Sequence, residues 1–229
     1  MNVVAILPAW NEGASVGAVV RGISRELIQT VIVVDGGSAD ATCAEAEAAG
    51  AEVVIERRPG YGRACLAGVA RAAELGADVV AFLDASSAAD PADLRAVLQP
   101  ILDGHADFVL GSRTGGLADP GALRPIQRAG NRLATTLIAM LYGHSYSDLG
   151  SMRAIRLSCL TDLRMRELTH GWPVEMQVQA VRHGLRIGEV AIHYRRRQSG
   201  RSKVSGSVVG SLRAGVAILR VVVAHVGQG

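Results

Sequence analysis

The sequence predicts an α/β fold: a single domain built on a mostly parallel β-sheet flanked by helices. Three observations predict it. Short β-branched runs alternate with Ala-rich helical segments through the first half of the chain. These runs are apolar at successive positions, not at every second one, as in strands covered on both faces. Several of them also end in an acid or a Gly/Ser-rich turn, at the edge where such sheets bind ligands.

In order, VVAILP (3–8), TVIVVD (30–35), EVVIER (52–57), VVAFLD (79–84) and FVLGS (108–112) read as strands. Segments 13–27, 40–49, 62–75 and 91–103 between them read as helices. The second half is less regular. Helical periodicity covers 127–142, and SDLGSMRAI (147–155) reads as a turn into a short strand. Segment 174–183 reads as a helix, 187–194 as a strand, and 195–206 as a basic loop. Residues 207–229 form a C-terminal amphipathic helix appended to a domain at 1–206. Leu212, Val216, Leu219, Val223 and Val226 make its apolar seam, which suits a membrane surface, a dimer contact or the core. No internal repeat or low-complexity linker divides the chain.

Composition limits the partners. With 229 residues, 49% of them hydrophobic, the chain can bury a sizeable core. Aromatic residues are only 3%, which argues against a base-stacking surface and leaves no nucleic acid among the expected partners. The net charge is +3, and Lys203 is the only lysine among 24 basic residues. Arginine suits bidentate phosphate contacts, although genome composition also produces this bias. Cys43, Cys65 and Cys159 are scattered without metal-ligand spacing, so a reduced, cytoplasmic compartment is expected. The opening MNVVAILPAW is too short and too broken by Pro8 to be a signal peptide. No run approaches the ~20 apolar residues of a membrane span.

Four strand-end motifs carry the chemistry. In LPAWNEG, Asn11 can read the edge of a base, and Glu12 either accepts from base or ribose or caps a helix. In VVDGGSADAT, Asp35 ends a strand and is placed for a ribose or base N–H, while Ser38 or Asp40 caps the next helix. A dinucleotide-binding dehydrogenase would need GxGxxG after the first strand, and a pyrophosphorylase a Gly-rich loop with a basic residue. PAWNEG offers neither. GYGRACLAG enters a helix through Gly60 and Gly62; it is either an anion-favouring helix start or an ordinary loop-to-helix junction. FLDASSAADP ends a strand at Asp84, and Asp90-Pro91 reads as a helix cap.

In this order these motifs resemble family 2 glycosyltransferases of the GT-A fold, specifically the polyprenyl-phosphate (dolichyl-phosphate mannose synthase-like) branch. FVLGSR, QRAGNRLATTLIAMLYG, SDLGSMRAIR, GWPVEMQVQAVRHG, IGEVAIHYRRR and GRSK extend the resemblance through most of the chain. It implies transfer of a hexose, with inversion, from a UDP- or GDP-sugar to a polyprenyl phosphate. It places Pro8, Ala9, Asn11, Glu12, Asp35, Gly62 and Arg63 around the nucleotide. Asp84, with Ala85 and Ser86, begins the acidic motif that holds Mg²⁺ or Mn²⁺ on the donor diphosphate. Arg113, Arg128 and Arg153 stand near the reacting acceptor phosphate. Asp148 either orients the acceptor or an arginine or caps a turn, and Glu175 faces the site. Arg197 and Lys203 belong to a loop that closes over the diphosphate and could also meet anionic headgroups.

The chain departs from the pattern at one point. The family has a second acid two residues after the first, and here that position is Ser86. A weakly held cation that depends on bound nucleotide diphosphate is the expectation. Two rival readings follow: a glycosyltransferase acting on a soluble hydroxyl acceptor, and a non-catalytic nucleotide-sugar-binding protein. His170 and His193 lack metal-spaced partners and read as structural. The resemblance places the protein in the cytoplasm, peripheral to the inner face of the membrane, with a homodimer possible.

Overall fold

A computed structural model describes residues 1–196 and 220–222. Among the described residues, one seven-stranded sheet runs in the order β3-β2-β1-β4-β6-β5-β7. The strands are β1 (Val3–Ala9), β2 (Thr30–Asp35), β3 (Glu52–Ile55), β4 (Val79–Phe82), β5 (Phe108–Ser112), β6 (Arg153–Arg156) and β7 (Ile187–Ala191). Six run parallel; β6 lies antiparallel between β4 and β5. The helices are α1 (Val16–Gly22), α2 (Thr42–Ala48), α3 (Tyr61–Glu74), α4 (Leu94–Leu102), α5 (Pro125–Tyr142), α6 (Leu157–Asp162) and α7 (Trp172–Arg182).

The double cover expected from the strand composition is present. Val3, Ala5 and Leu7 of β1 pack with Val16, Val19 and Val20 of α1 and with Leu94, Val97 and Leu98 of α4. Val4 and Ile6 face the other layer, with Cys65 and Ala72 of α3 and Trp172 and Met176 of α7. Gly68 lets α3 lie close on this face, because a Cβ there would collide with Ile6.

Some boundaries differ from expectation. The helix expected over 13–27 is only Val16–Gly22: Ile23 is extended after Gly22, and Gly22 abuts Pro91. Segment 91–103 splits into a 3₁₀ turn at Pro91–Asp93 and then α4; Asp90 caps the turn by accepting from the Ala92 N–H at 3.1 Å. Helix α6 was not anticipated. Of the expected C-terminal helix, only Arg220–Val222 lie among the described residues, and they are helical. No helix of the described residues is long and apolar enough to cross a membrane.

Candidate active site

The ends of β1, β2, β4 and β5 and the entry to β6 share one edge of the sheet. This topology brings the loops carrying Asn11, Asp35, Asp84, Arg113 and Asp148 to that edge. Pro8 helps build it. The Leu83 N–H still bonds the Ile6 carbonyl at 3.2 Å. The next rung of a parallel ladder would need an N–H at Pro8, which proline lacks. β4 therefore ends, and Asp84 leaves the sheet. Ala9 is buried and accepts from the Gly36 N–H at 2.9 Å, which joins the ends of β1 and β2.

Asn11 adopts the left-handed conformation, φ 50°, which asparagine tolerates better than most residues. Its Oδ1 accepts from the Ala39 N–H at 2.8 Å, and its own N–H donates to Ser38 Oγ at 2.7 Å. Asp35 is 2% exposed. One carboxylate oxygen accepts from the Gly37 and Ser38 amides, both at 2.9 Å, and the other from the Ser38 hydroxyl. With these bonds Asp35, expected to meet base or ribose, stitches its own turn to the Asn11 loop. Glu12 begins α1: its carbonyl accepts from the Ser15 and Val16 amides. The Ser15 hydroxyl lies 3.1 Å from the Glu12 carboxylate and 3.0 Å from the Ala85 carbonyl, with one proton to give. Ser15, not singled out in the sequence, thus fastens the first loop to the loop after Asp84.

The start of α3 is not an open anion site. The Gly62 and Arg63 N–H groups donate to the Thr169 and Leu168 carbonyls, both at 3.2 Å. A Cβ on Gly62 would collide with the Glu167 carbonyl, so glycine serves close backbone packing there. Of the two readings of GYGRACLAG, the loop-to-helix junction fits. Arg63 lines a depression with Glu56, Arg58 and Leu168. Glu175 is 1% exposed, and its carboxylate accepts from the Arg166 and Glu167 amides at 2.8–3.0 Å. It fixes the loop that caps α3.

Asp84 is half-buried, and Ser86 is 3% exposed among Ala85, Ala88 and Ala89. The Asp84 charge is felt by Tyr61, Cys65, Arg153 and His170. Burial pushes the Tyr61 hydroxyl and the Cys65 thiol up and the Arg153 guanidinium down. Arg153, expected near the acceptor phosphate, lies in the interior. It is 1% exposed, pairs with Phe82 across the β4–β6 ladder, and donates to the Pro173 carbonyl at 2.7 Å and to the Gly150 carbonyl. It is a buried cation beneath the Asp84 strand. Among the described residues, no three His, Cys, Asp or Glu side chains gather as a cation site.

Arg113 and Asp148 meet across the same edge in an ion pair whose side chains are 16% and 1% exposed. Burial alone would lower the Arg113 pKa; the Asp148 hydrogen bonds reverse this and raise it. The guanidinium also lies 5.4 Å from the centre of the Tyr194 ring, a cation–π distance. Tyr194 forms single bridges to Ala89 and Ala118, and the Arg195 N–H donates to the Ala88 carbonyl at 2.7 Å. The start of the basic segment therefore runs along the loop that follows Asp84. Tyr194 was missed because nothing in IHYRRR distinguishes it from an ordinary strand residue. Arg128 is exposed on the second turn of α5. Arg197 and Lys203 lie outside the described residues.

Comparisons with known proteins match this architecture. The family profile described as glycosyl transferase family 2 matches residues 4–164. An uncharacterized glycosyltransferase of Mycobacterium tuberculosis is 36% identical over 214 residues, covering 93% of this chain and 94% of its own. The undecaprenyl-phosphate mannosyltransferase of Micrococcus luteus is 31% identical over 227 residues, covering 92% and 90%. A UDP-N-acetylglucosamine–dolichyl-phosphate N-acetylglucosaminyltransferase of Methanococcus voltae is 28% identical, covering 82% and 83%. In fold, the chain is similar to glucosyl-3-phosphoglycerate synthase of M. tuberculosis, solved with Mn²⁺, UDP and glucosyl-3-phosphoglycerate. The TM-score is 0.80 at 23% identity, over 100% of this chain and 81% of that one. The chain belongs to glycosyl transferase family 2 and has the GT-A fold.

Proposed function

We propose that this glycosyltransferase moves a hexose from a UDP- or GDP-sugar to a polyprenyl phosphate, with inversion at the anomeric carbon. The observation that carries the reading is the nearly end-to-end similarity to the undecaprenyl-phosphate mannosyltransferase. The arrangement of Arg113 supports it. Its guanidinium is held rigidly at the sheet edge by Asp148 and Tyr194. Fixed guanidinium groups orient phosphate oxygens, and Arg113, with Arg128 beyond it, serves an acceptor phosphate in this reading.

A phosphate oxygen is ionised near neutral pH and attacks without a general base. It forms the new bond to the anomeric carbon as the bond to the donor diphosphate breaks, and the electron pair leaves on the diphosphate. Asp84 stands on the donor side. One carboxylate fits a hard cation that draws its remaining ligands from the donor phosphates and water, as Mg²⁺ does and Mn²⁺ can. Such an ion, when bound, neutralises charge on the departing diphosphate. The reading places the enzyme in the cytoplasm, against the inner face of the membrane.

A soluble acceptor is the second reading. The similar synthase structures contain phosphoglyceric acid or its glucosylated product, so an acceptor phosphate is common to both readings. The test incubates the purified full chain with labelled UDP- and GDP-sugars and either undecaprenyl phosphate in detergent or 3-phosphoglycerate. Label in the lipid phase, lost on Asp84→Asn, supports the proposal. Label only in the soluble acceptor overturns the lipid assignment. Nucleotide-sugar binding without transfer to any acceptor supports the non-catalytic alternative instead.

A further inference from the structure

Arg153 opens β6 directly across from Phe82, the last residue of β4, and Asp84 follows two residues after Phe82. Residues opposite each other in an antiparallel pair share one face of the sheet. Here that face is covered by α3 and α7, and Phe82 packs edge-on against Trp172 with 4.9 Å between ring centres. The Arg153 guanidinium donates to the carbonyls of Pro173, in the first turn of α7, and of Gly150. Both acceptors are neutral, and the positive end of the α7 dipole opposes a cation there.

A cation at 1% exposure calls for an opposite charge. Among the described residues, no Asp or Glu forms an ion pair with Arg153. Residues 197–229 contain no Asp or Glu at all. The side chains that favour the Arg153 charge from a distance are Tyr61, Cys65, Asp84 and Tyr146. Burial pushes the two tyrosine hydroxyls and the Cys65 thiol up, so these three stay neutral. Asp84 is the one carboxylate of the four. Its charge also acts on Tyr61 and Cys65 of α3, in the same layer as Arg153.

We infer that Arg153 is a positioning residue of the donor side: a buried counter-charge that offsets Asp84, so that a divalent cation is held only together with a donor diphosphate. Two neighbouring carboxylates would attract a dication by themselves. Here Ser86 stands two residues after Asp84, and the charge beneath Asp84 is positive. A diphosphate supplies what this pair lacks: negative charge drawn by Arg153, and oxygens that complete the ligands of a cation beside Asp84. The consequence for the cation rests on the donor-side reading of Asp84; the coupling of the two charges does not.

Calorimetry on the full chain measures Mn²⁺ binding with and without UDP, and UDP binding in chelator, with GDP used where UDP does not bind. Wild type should bind the nucleotide in chelator and bind Mn²⁺ appreciably only when the nucleotide is present. Removing the buried charge should move two affinities in opposite directions. Arg153→Met should bind Mn²⁺ alone at least about tenfold more tightly, and the nucleotide in chelator at least about tenfold more weakly. Arg153→Lys keeps the charge and should hold both affinities near wild type. An arginine that only packs would give losses in both variants and no gain for Mn²⁺, which overturns the inference. So does wild-type Mn²⁺ binding that is as tight without nucleotide as with it. Arg153→Gln, which keeps a donor for the two carbonyls, takes the place of the Met variant if that one does not fold. Asp84→Asn tests the coupling with Arg153 untouched and no ligand present. Asparagine keeps the shape but strands the buried cation, so the melting temperature in chelator should fall by at least about 2 °C. Unchanged or higher melting overturns the charge coupling. A melting shift with no binding of UDP or GDP, with or without Mn²⁺, leaves the coupling standing and removes the donor-side reading.

Discussion

Arg113 and Asp148 grip each other through two parallel hydrogen bonds, Nε to Oδ2 at 2.7 Å and Nη2 to Oδ1 at 2.8 Å. The Arg113 backbone N–H adds a third, to Oδ2 at 2.8 Å, and the Leu149 N–H a fourth, to Oδ1 at 2.8 Å. A carboxylate used in this way is poorly placed to take a proton from a substrate. It orients a guanidinium. Asp148→Asn should therefore act through Arg113. Breaking a buried pair costs about 3–5 kcal/mol of stability, and displacing the guanidinium should lower kcat/KM on the order of a hundredfold. Arg113→Met should resemble it, and the double variant should lose little more than the worse single one. Additive losses in a double-mutant cycle would give Asp148 an independent role. Arg113→Lys is no rescue, because an ammonium cannot form both parallel bonds.

The capping of α3 gives a second prediction. Glu175 holds the Arg166 and Glu167 amides, and the next two carbonyls, of Leu168 and Thr169, receive the α3 N–H groups. Glu175→Gln keeps the size but removes the charge that strengthens these bonds, at a cost of about 1.5–3 kcal/mol. Gly62→Ala forces a methyl group into the same backbone and should cost about 1–3 kcal/mol. Thermal melting measures both. Because both residues act here on backbone packing, nucleotide affinity by calorimetry should change less than stability does. A variant that melts normally but no longer binds nucleotide would place its residue in the pocket.

Much of the fold was legible because its signals are local. β1, β2 and β4 are apolar runs that could only be buried on both faces, and Asp90-Pro91 spells a cap. The insertion of β6 between β4 and β5 was not legible. RAIR carries two arginines, and only the burial of Arg153 against backbone carbonyls makes it an interior strand. At the site, residue types at strand ends pointed to one shared edge, to which the topology does bring them, but side-chain direction did not follow from them. Asp35 and Glu175 are acids whose partners are backbone amides from turns and loops, and such pairing has no period in sequence. Tyr194 acquires its place beneath Arg113 only through the long return of the chain to the Asp84 loop.

Acid should weaken the far side of the sheet in a defined direction. Asp107 accepts from Arg186 through Nε at 2.9 Å and Nη2 at 2.6 Å, joining the entries to β5 and β7, and Arg156 stands nearby. The hydrogen bonds from Arg186 hold the Asp107 carboxyl below its usual 3.8. A carboxyl depressed in the folded state contributes stability that is complete above the unfolded value and lost as pH falls through the folded one. Asp107→Asn should therefore melt below wild type at neutral pH, by a small margin because Arg186 is largely exposed. The two melting curves should converge once the pH is well below 3.8. A gap that persists in acid would mean that packing, not charge, holds this corner.

The position two residues after Asp84 offers the sharpest test of the donor side. Ser86 is buried, so Ser86→Asp introduces a second carboxylate where water cannot solvate it well. An uncompensated buried charge is costly, whereas the same charge beside a divalent cation is stabilising. The variant should therefore melt below wild type in chelator and recover when Mn²⁺ and UDP are added together, with a larger rise than wild type shows. Calorimetry in the presence of UDP should give tighter Mn²⁺ binding for the variant, and Asp84→Asn should remove the metal response from both backgrounds. If Mn²⁺ with UDP stabilises the Ser86→Asp protein no more than wild type, the side chain at 86 does not face the cation, and Asp84 must meet the donor diphosphate without a neighbour from its own loop.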